Sequence, residues 1–225
     1  MVLWGFWTTY YSNPLQFSDL LVHVHGFSMT LWCAMLVTQA ALIRTGKRSL
    51  HRTIGKTSYV LAPLIVVLLV AVARARLLKD LPPDGVIPEE LFFLAGLTLL
   101  GASAFGVLYV WAIFSRKNAP THGRIMLCTV FPIATAAGDR ILAQYFPDFV
   151  QSLPIIAGRP QPQVVTWVVV DVTLVGLSVW DWRAHRRLNV FPIVLLLLLG
   201  YHLFTANAHH IGPWKSFATW FLGFS

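Results

Sequence analysis

Residues 20–32 read LLVHVHGFSMTLW, an apolar run with two histidines near its start, His23 and His25. The run continues to about residue 43, which is long enough for a helix to cross a hydrocarbon core of roughly 30 Å. Five similar runs follow, so the predicted spans cover residues about 19–43, 54–76, 91–114, 122–145, 164–182 and 189–208. Because backbone groups in lipid must bond within their own segment, these runs predict α-helices.

The composition assigns the chain to the membrane class. Of its 225 residues, 56% are hydrophobic and only 12% are charged, too few to cover the surface of a soluble domain. The loops are short, so we expect residues 1–225 to form a single integral membrane domain of the all-α class, a polytopic helix bundle. The last stretch, 212–225, is too short to span, and its aromatic residues recur at helical spacing. It predicts an amphipathic helix at the membrane interface.

The net charge of +8 is distributed unevenly along the chain. The first, third and fifth loops and the adjoining helix ends hold a single acidic residue, Asp181, and eleven basic ones: Arg44, Lys47, Arg48, Arg52, Lys56, Arg116, Lys117, Arg124, Arg183, Arg186 and Arg187. The other side holds six basic and eight acidic residues. This bias is typical of cytoplasmic loops rather than of nucleic-acid binding. It predicts a multi-pass protein of the bacterial inner membrane with both termini on the periplasmic side.

Four predicted helices carry ionisable residues at a similar depth on the periplasmic side, where such residues usually pair or line a functional cavity. His25 and His202 would form a metal site across the bundle. Asp139 would be a third ligand of the metal or would hydrogen-bond to one of the ligating histidines. The same two histidines would also serve as axial ligands of a b-type haem. Asp139, Arg140 and Asp171 are catalytic candidates, because a carboxylate within a span needs a partner or a proton.

Three further histidines lie nearer the periplasmic surface. Residues two apart on a helix point about 200° away from each other, so His23 and His25 face opposite sides. His23 with His209 or His210 would form a second metal site. The alternative is that these three side chains bond to backbone or to lipid headgroups.

A second group of candidates begins spans two and four on the cytoplasmic side. His51 and His122 lie at equal depth and are each followed by an arginine, Arg52 and Arg124. A histidine pair of this kind can bind a cofactor, and the arginines can hold haem propionates, a quinone headgroup or a lipid phosphate. The alternative is a positively charged helix start that binds phospholipid headgroups.

Three motifs lie in the same order along the chain: HVHG (23–26), GKRSLHRTIG (46–55) and HGRIM (122–126). The pattern H-x-H-G, L-H-R-x-x-G and H-x-R-x-M resembles a family of small bacterial multi-helix membrane proteins. That family is distantly related to the b-type transmembrane cytochromes, which include ascorbate and ferric reductases. The resemblance covers roughly residues 18–145. It implies a haem-binding redox protein, with His51 and His122 among the matching positions.

Three functional hypotheses follow. The first is a membrane oxidoreductase in electron transport that binds haem b, or another His-ligated metal such as Zn, Fe or Cu. The second is a non-haem metal enzyme that acts on a lipid-soluble substrate. The third is a small transporter or sensor, in which Asp139, Arg140 and Asp171 form a proton or substrate path. The expected partners are membrane lipids and a quinone or another lipid-soluble small molecule, and a homo-oligomer remains an alternative.

Overall fold

The computed structural model describes residues 2–12, 19–82 and 86–223, and almost all of the described chain is helical. A two-stranded antiparallel ribbon, β1 with β2, lies in the connection before α9. The elements in chain order are α1 (Val2–Phe6, continued by a π-helical turn at Trp7–Tyr11), α2 (Leu20–Arg44), α3 (Arg48–Gly55), α4 (Ser58–Lys79), α5 (Glu89–Phe114), α6 (Ala119–Cys128), α7 (Phe131–Tyr145), α8 (Pro147–Gln151), β1 (Ile155–Ile156), β2 (Arg159–Pro160), α9 (Gln163–His185), α10 (Phe191–Asn207) and α11 (Gly212–Leu222).

The prediction of an all-α bundle with six membrane spans is confirmed. Six helical segments of the described chain are long and apolar enough to cross a membrane, and each overlaps one predicted span. They are Leu20–Arg44, Ser58–Lys79, Glu89–Lys117, Ala119–Tyr145, Gln163–His185 and Phe191–His210.

The second span starts later than predicted, at Ser58 instead of residue 54. Gly46, with φ of +73°, ends the preceding turn in a left-handed conformation that glycine adopts without strain. The short helix α3 then carries the basic motif as a separate element between α2 and α4. None of its residues is fully buried, so α3 lies at the end of the bundle instead of within it.

The fourth span is interrupted between α6 and α7, at Thr129 and Val130. Pro132 lies in the first turn of α7 and has no backbone N–H. The interruption therefore leaves no N–H group without a partner at this residue. Thr129 is fully buried, and its Oγ1 accepts a hydrogen bond from Trp32 Nε1 of α2 at 3.3 Å. This bond joins the interruption to the first span.

The helix α5 forms the centre of the bundle and packs against α4, α6, α7 and α10. One side of it joins a core with α2 and α4, in which the Trp32 ring meets the edges of Phe105 and Tyr109 at 5.1 and 5.7 Å. Its other side joins a core with α6, α9 and α10 that includes Leu108, Leu174 and Leu198. These two cores therefore adjoin and share α5.

The two ends of the chain pack on the same end of the bundle. The helix α1 lies against α7. Gly5 permits this close contact, because a Cβ at this position would come within 2.5 Å of the Ala137 carbonyl oxygen. The predicted amphipathic helix is α11, which buries Ala218 and Leu222 against α4 and α5 and leaves Phe217 and Trp220 exposed. Residues 224–225 of that prediction lie outside the described chain.

Candidate functional site

His51 and His122 lie at the basic end of the bundle, where the loops rich in lysine and arginine are, and we call them the basic-end pair. The two rings are close enough to interact electrostatically. His122 Nδ1 bonds to the backbone carbonyl of Ala112 at 2.8 Å. The Gln39 amide contacts His51 Nδ1, donates to the His51 carbonyl at 3.1 Å and accepts from Gly55 N–H at 3.2 Å. The His122 ring is thus held through Nδ1, which donates to a carbonyl and leaves Nε2 as the nitrogen for a ligand. The Gln39 amide fixes the position of His51.

The surroundings of His51 favour its neutral form. Burial lowers the pKa of His51 below its ordinary value of 6.5. A hydrogen bond from the ring to the Gln39 backbone opposes this, and the nearby His122 adds to it. Neutral imidazole is the form that binds a metal ion. The protonation state of His51 near neutral pH therefore suits a ligand.

The two arginines predicted beside this pair have different surroundings. Arg52 is exposed on α3. Arg124 forms an ion pair with Asp181 of α9 at 2.5 Å, and the Asp181 side chain is only 2% exposed. His185 Nδ1 lies 3.1 Å from the same carboxylate. Arg124 is therefore occupied in joining α6 to α9, whereas Arg52 is available to a ligand.

At the opposite end, polar side chains of α7, α9 and α10 form a continuous series, the polar chain, made of Gln163, Asp139, Tyr201, Trp167, His202 and Asp171. Gln163 lies next to Asp139, which acts electrostatically on Tyr201. The ring centroids of Tyr201 and Trp167 are 6.3 Å apart. Trp167 stacks on His202 at 4.9 Å with an interplanar angle of 17°. His202 Nδ1 bonds to Asp171 Oδ2 at 3.2 Å.

Several atoms of the polar chain have no hydrogen-bond partner among the described residues although they are buried. Asp139 Oδ1, Gln163 Oε1 and Asp171 Oδ1 are acceptors of this kind, and Trp167 Nε1 is a donor. The Tyr201 hydroxyl, in contrast, donates to the Leu97 carbonyl at 2.9 Å. Buried polar groups are normally paired, so this region has unused capacity for water, protons or a polar ligand.

Arg140, next to Asp139 in sequence, faces a different part of the bundle. Its Nη1 donates to the Ala136 carbonyl at 2.8 Å, and its guanidinium lies 4.4 Å from the centre of the Phe6 ring of α1. It interacts electrostatically with His25 of α2 and Arg76 of α4. We call His25, Arg76 and Arg140 the cationic cluster.

The remaining histidines at this end have separate surroundings. His23 Nδ1 lies 3.2 Å from the Tyr10 hydroxyl. Gly26, in the same motif, lets the Tyr10 ring approach α2, because a Cβ on residue 26 would come within 3.0 Å of that ring. His209 and His210 pack on each other with ring centroids 3.9 Å apart. The Tyr10 hydroxyl is a side-chain partner, not the backbone or lipid headgroup considered for His23 from the sequence.

The predicted outer ligand sets are not brought together in the described chain. His202 is paired with Asp171, His25 lies beside Arg140, and Asp139 lies beside Gln163. No group of three His, Cys, Asp or Glu side chains within residues 2–12, 19–82 and 86–223 is arranged to hold a metal ion. The outer metal sites stay predictions without a formed ligand set.

Four residues of these sites were not singled out from the sequence. Gln39 and Gln163 are amides near span ends, and Trp167 and Tyr201 are aromatic residues within apolar runs, so their types gave no signal of a site. Asp181 did carry a signal, because it is the single acidic residue among the basic loops and helix ends. A lone carboxylate in such surroundings is expected to pair with an arginine.

Two apolar grooves of about 250 and 620 Å³ lie along α4 and α5. They share Val110 and Phe114, and the smaller one is lined also by Tyr59, Tyr109 and Ile113. Ile113 follows Ala112, whose carbonyl holds His122, so this groove begins close to the basic-end pair. No family model, curated protein or solved structure matches the chain.

Proposed function

We propose that the protein is a membrane redox protein that binds haem b through His51 and His122. The observation that carries the proposal is that His51 and His122 lie within electrostatic range of each other at the basic end, with the His122 ring held through Nδ1 on the Ala112 carbonyl. Haem-ligating and metal-ligating histidines are commonly oriented in this way. When bound, haem supplies one-electron transfer.

The number of ligands favours haem over the other cofactors considered. Two histidines are enough to hold a b-type haem, whereas zinc needs three or four protein ligands. Among the described residues, two histidines lie within electrostatic range of each other at the basic end, and no three-residue group is arranged for a metal ion. Arg52 is the residue that would meet a propionate, since Arg124 is paired with Asp181. A non-haem metal enzyme has correspondingly less support.

The three sequence motifs and the charge distribution support the same proposal. The resemblance of HVHG, GKRSLHRTIG and HGRIM to the cytochrome-related family includes both histidines of the basic-end pair. The basic loops favour an orientation with this pair on the cytoplasmic side of the bacterial inner membrane and with both termini on the periplasmic side. The apolar grooves on α4 and α5, the smaller of which is lined by Ile113, offer a surface for the tail of a lipid-soluble partner such as a quinone.

The experiment is a dithionite-reduced minus oxidised absorption spectrum of the purified protein. We expect the α-band of a b-type haem in the wild type and its loss in His51→Ala and His122→Ala. His185→Ala is the matched control, because His185 is exposed at the same end and bonds to Asp181 instead of a ligand. A flat spectrum of folded wild-type protein, or equal spectra in all three variants, would contradict the proposal. Metal analysis for Fe, Cu and Zn would then test the other His-ligated cofactors.

A second candidate function, proton-linked transport or sensing, is favoured by the polar chain. Its buried carboxylate oxygens without partners, Asp139 Oδ1 and Asp171 Oδ1, are groups that a proton can occupy. Proton uptake into liposomes that contain the protein tests it, with Asp171→Asn as the variant. We expect uptake to fall at least tenfold in this variant if the polar chain carries protons, and equal uptake would contradict this role.

A further inference from the structure

Arg140 is a charged residue within the fourth span that forms no ion pair with a carboxylate of the described residues. Its polar contact is the carbonyl of Ala136, one turn earlier on its own helix, and its other contact is the face of the Phe6 ring. Asp139, which precedes it in sequence, also attracts the guanidinium electrostatically, but its side chain lies beside Gln163 and forms no ion pair with Arg140. The guanidinium charge is therefore partly offset by Asp139, and no described carboxylate is bonded to it.

The charged groups around Arg140 add to this positive charge. Arg76 of α4 acts on it electrostatically, and the ion pair of Arg76 with Asp80 is long, 3.6 Å, and exposed. His25 of α2 also lies within electrostatic range, and its Nδ1 is buried without a hydrogen-bond partner among the described residues. In this region α4 and α7 thus each present a guanidinium, and α2 adds an imidazole nitrogen.

An unpaired charge within a span is costly, and neighbouring like charges increase the cost. An anion would remove it, and a guanidinium binds phosphate and carboxylate oxygens through two parallel hydrogen bonds. The cluster also lies near the end of the fourth span, since Arg140 is five residues, about 8 Å, before Tyr145 at the end of α7. Trp4 and Trp7 of α1 are exposed at the same end, as aromatic residues at a lipid headgroup region are.

We propose that the cationic cluster of His25, Arg76 and Arg140 binds a phosphate group, and that α1 covers this site. At this depth the phosphate at hand is the headgroup of an anionic phospholipid. The helix α1 joins the two sides of the site: Gly5 and Phe6 pack on α7, and the Tyr11 hydroxyl bonds to Thr30 of α2 at 2.6 Å. This site is separate from the basic-end pair and does not depend on haem.

The test uses the full chain in a neutral detergent. Phosphatidylglycerol is added while bound lipid is counted by native mass spectrometry and the melting temperature is followed. We expect the lipid to bind wild type and raise its melting temperature, and Arg140→Gln to bind at least tenfold more weakly, because a hydrogen-bonded charge is lost. Without lipid, Arg140→Gln should be at least as stable as wild type, since it removes an unpaired charge. His25→Gln should weaken binding less.

The matched control is Arg159→Gln, an exposed arginine at the same end that pairs with Glu90. It should keep the response to phosphatidylglycerol. Glycerol 3-phosphate in place of the lipid distinguishes the sources: protection by it assigns the site to a soluble phosphate ester, and no protection assigns it to the lipid. Equal protection by diacylglycerol, which lacks phosphate, or an equal response of Arg140→Gln and Arg159→Gln, would overturn the proposal.

Discussion

The ion pair of Arg124 with Asp181 is the most enclosed charge interaction at the basic end, with side chains 14% and 2% exposed. It explains why the single acidic residue among the basic loops stands where it does. The pair of Arg159 with Glu90 has a similar length, 2.9 Å, but the arginine side chain is 70% exposed. The two pairs therefore offer a direct comparison of enclosed and exposed charge.

We predict that Asp181→Asn lowers the free energy of unfolding by about 3–5 kcal/mol, because it leaves the Arg124 charge enclosed without a partner. Arg159→Gln should change it by no more than about 1 kcal/mol, as is typical of an exposed pair. Unfolding by SDS in mixed micelles measures both. Similar losses of unfolding free energy in the two variants would show that the burial of the Asp181 carboxylate does not determine how much its ion pair stabilises the protein.

His51 makes the stability of the cofactor-free protein depend on pH. Burial, assisted by His122, lowers its pKa in the folded state below the value of about 6.5 that it has in the unfolded chain. Between these two values the unfolded chain binds more protons, so the contribution of His51 to stability is complete above pH 6.5 and is lost as the pH falls through the folded-state pKa. We predict that wild type loses more melting temperature than His51→Asn between pH 8 and pH 5. Parallel pH profiles would rule out this role.

At the scale of elements, local sequence predicted where the helices are but not where they are interrupted. The apolar run of the fourth span continues through Thr129, and the interruption there accompanies a buried bond to Trp32, 97 residues earlier. The separate helix α3 follows similarly from a left-handed turn at Gly46 and the contact of Gln39 with Gly55. Both depend on another helix, so hydropathy along one segment does not reveal them.

The contact between α7 and α9 depends on Gly138. A Cβ at this position would come within 2.1 Å of Thr166 Oγ1 and within 3.2 Å of its Cβ, and threonine is stiff at χ1. We predict that Gly138→Ala destabilises the protein by about 1–3 kcal/mol through overpacking. Gly176→Ala in α9 is the control, because no atom lies within 4 Å of a Cβ there, and it should be neutral or stabilising by up to about 1 kcal/mol. The melting temperatures of the two variants in detergent test this prediction. An unchanged melting temperature for Gly138→Ala would contradict it, because α7 and α9 could then move apart without loss of stability.

At the scale of the whole molecule, α7 separates two polar regions through adjacent residues. Asp139 belongs to the polar chain toward α9 and α10, whereas Arg140 belongs to the cationic cluster toward α1, α2 and α4. Consecutive residues on a helix point about 100° apart, so one turn can serve two neighbourhoods. The ionisable residues that lie at one depth in the sequence are therefore divided between two sites.

The orientation proposed for the bundle predicts which loops a reagent outside the cell can reach. Ser152→Cys should react with a membrane-impermeant maleimide in intact cells, whereas Lys117→Cys should react only after the membrane is opened. Both positions are exposed, so a difference reports the side of the membrane. The native Cys33 and Cys128 lie within spans, and wild-type cells give the background. The reverse labelling pattern would invert the proposed orientation.

The sequence by itself determined the all-α class, the six spans and the uneven distribution of charge, because each depends only on the length and composition of continuous segments. It also identified His51 and His122 as residues of equal depth. Only the tertiary structure decided which side chains meet: Arg124 with Asp181, His202 with Asp171, and Arg140 with Phe6 and His25. The physical reason is that depth follows from residue number along a helix, whereas the partner of a side chain follows from the rotation and packing of neighbouring helices.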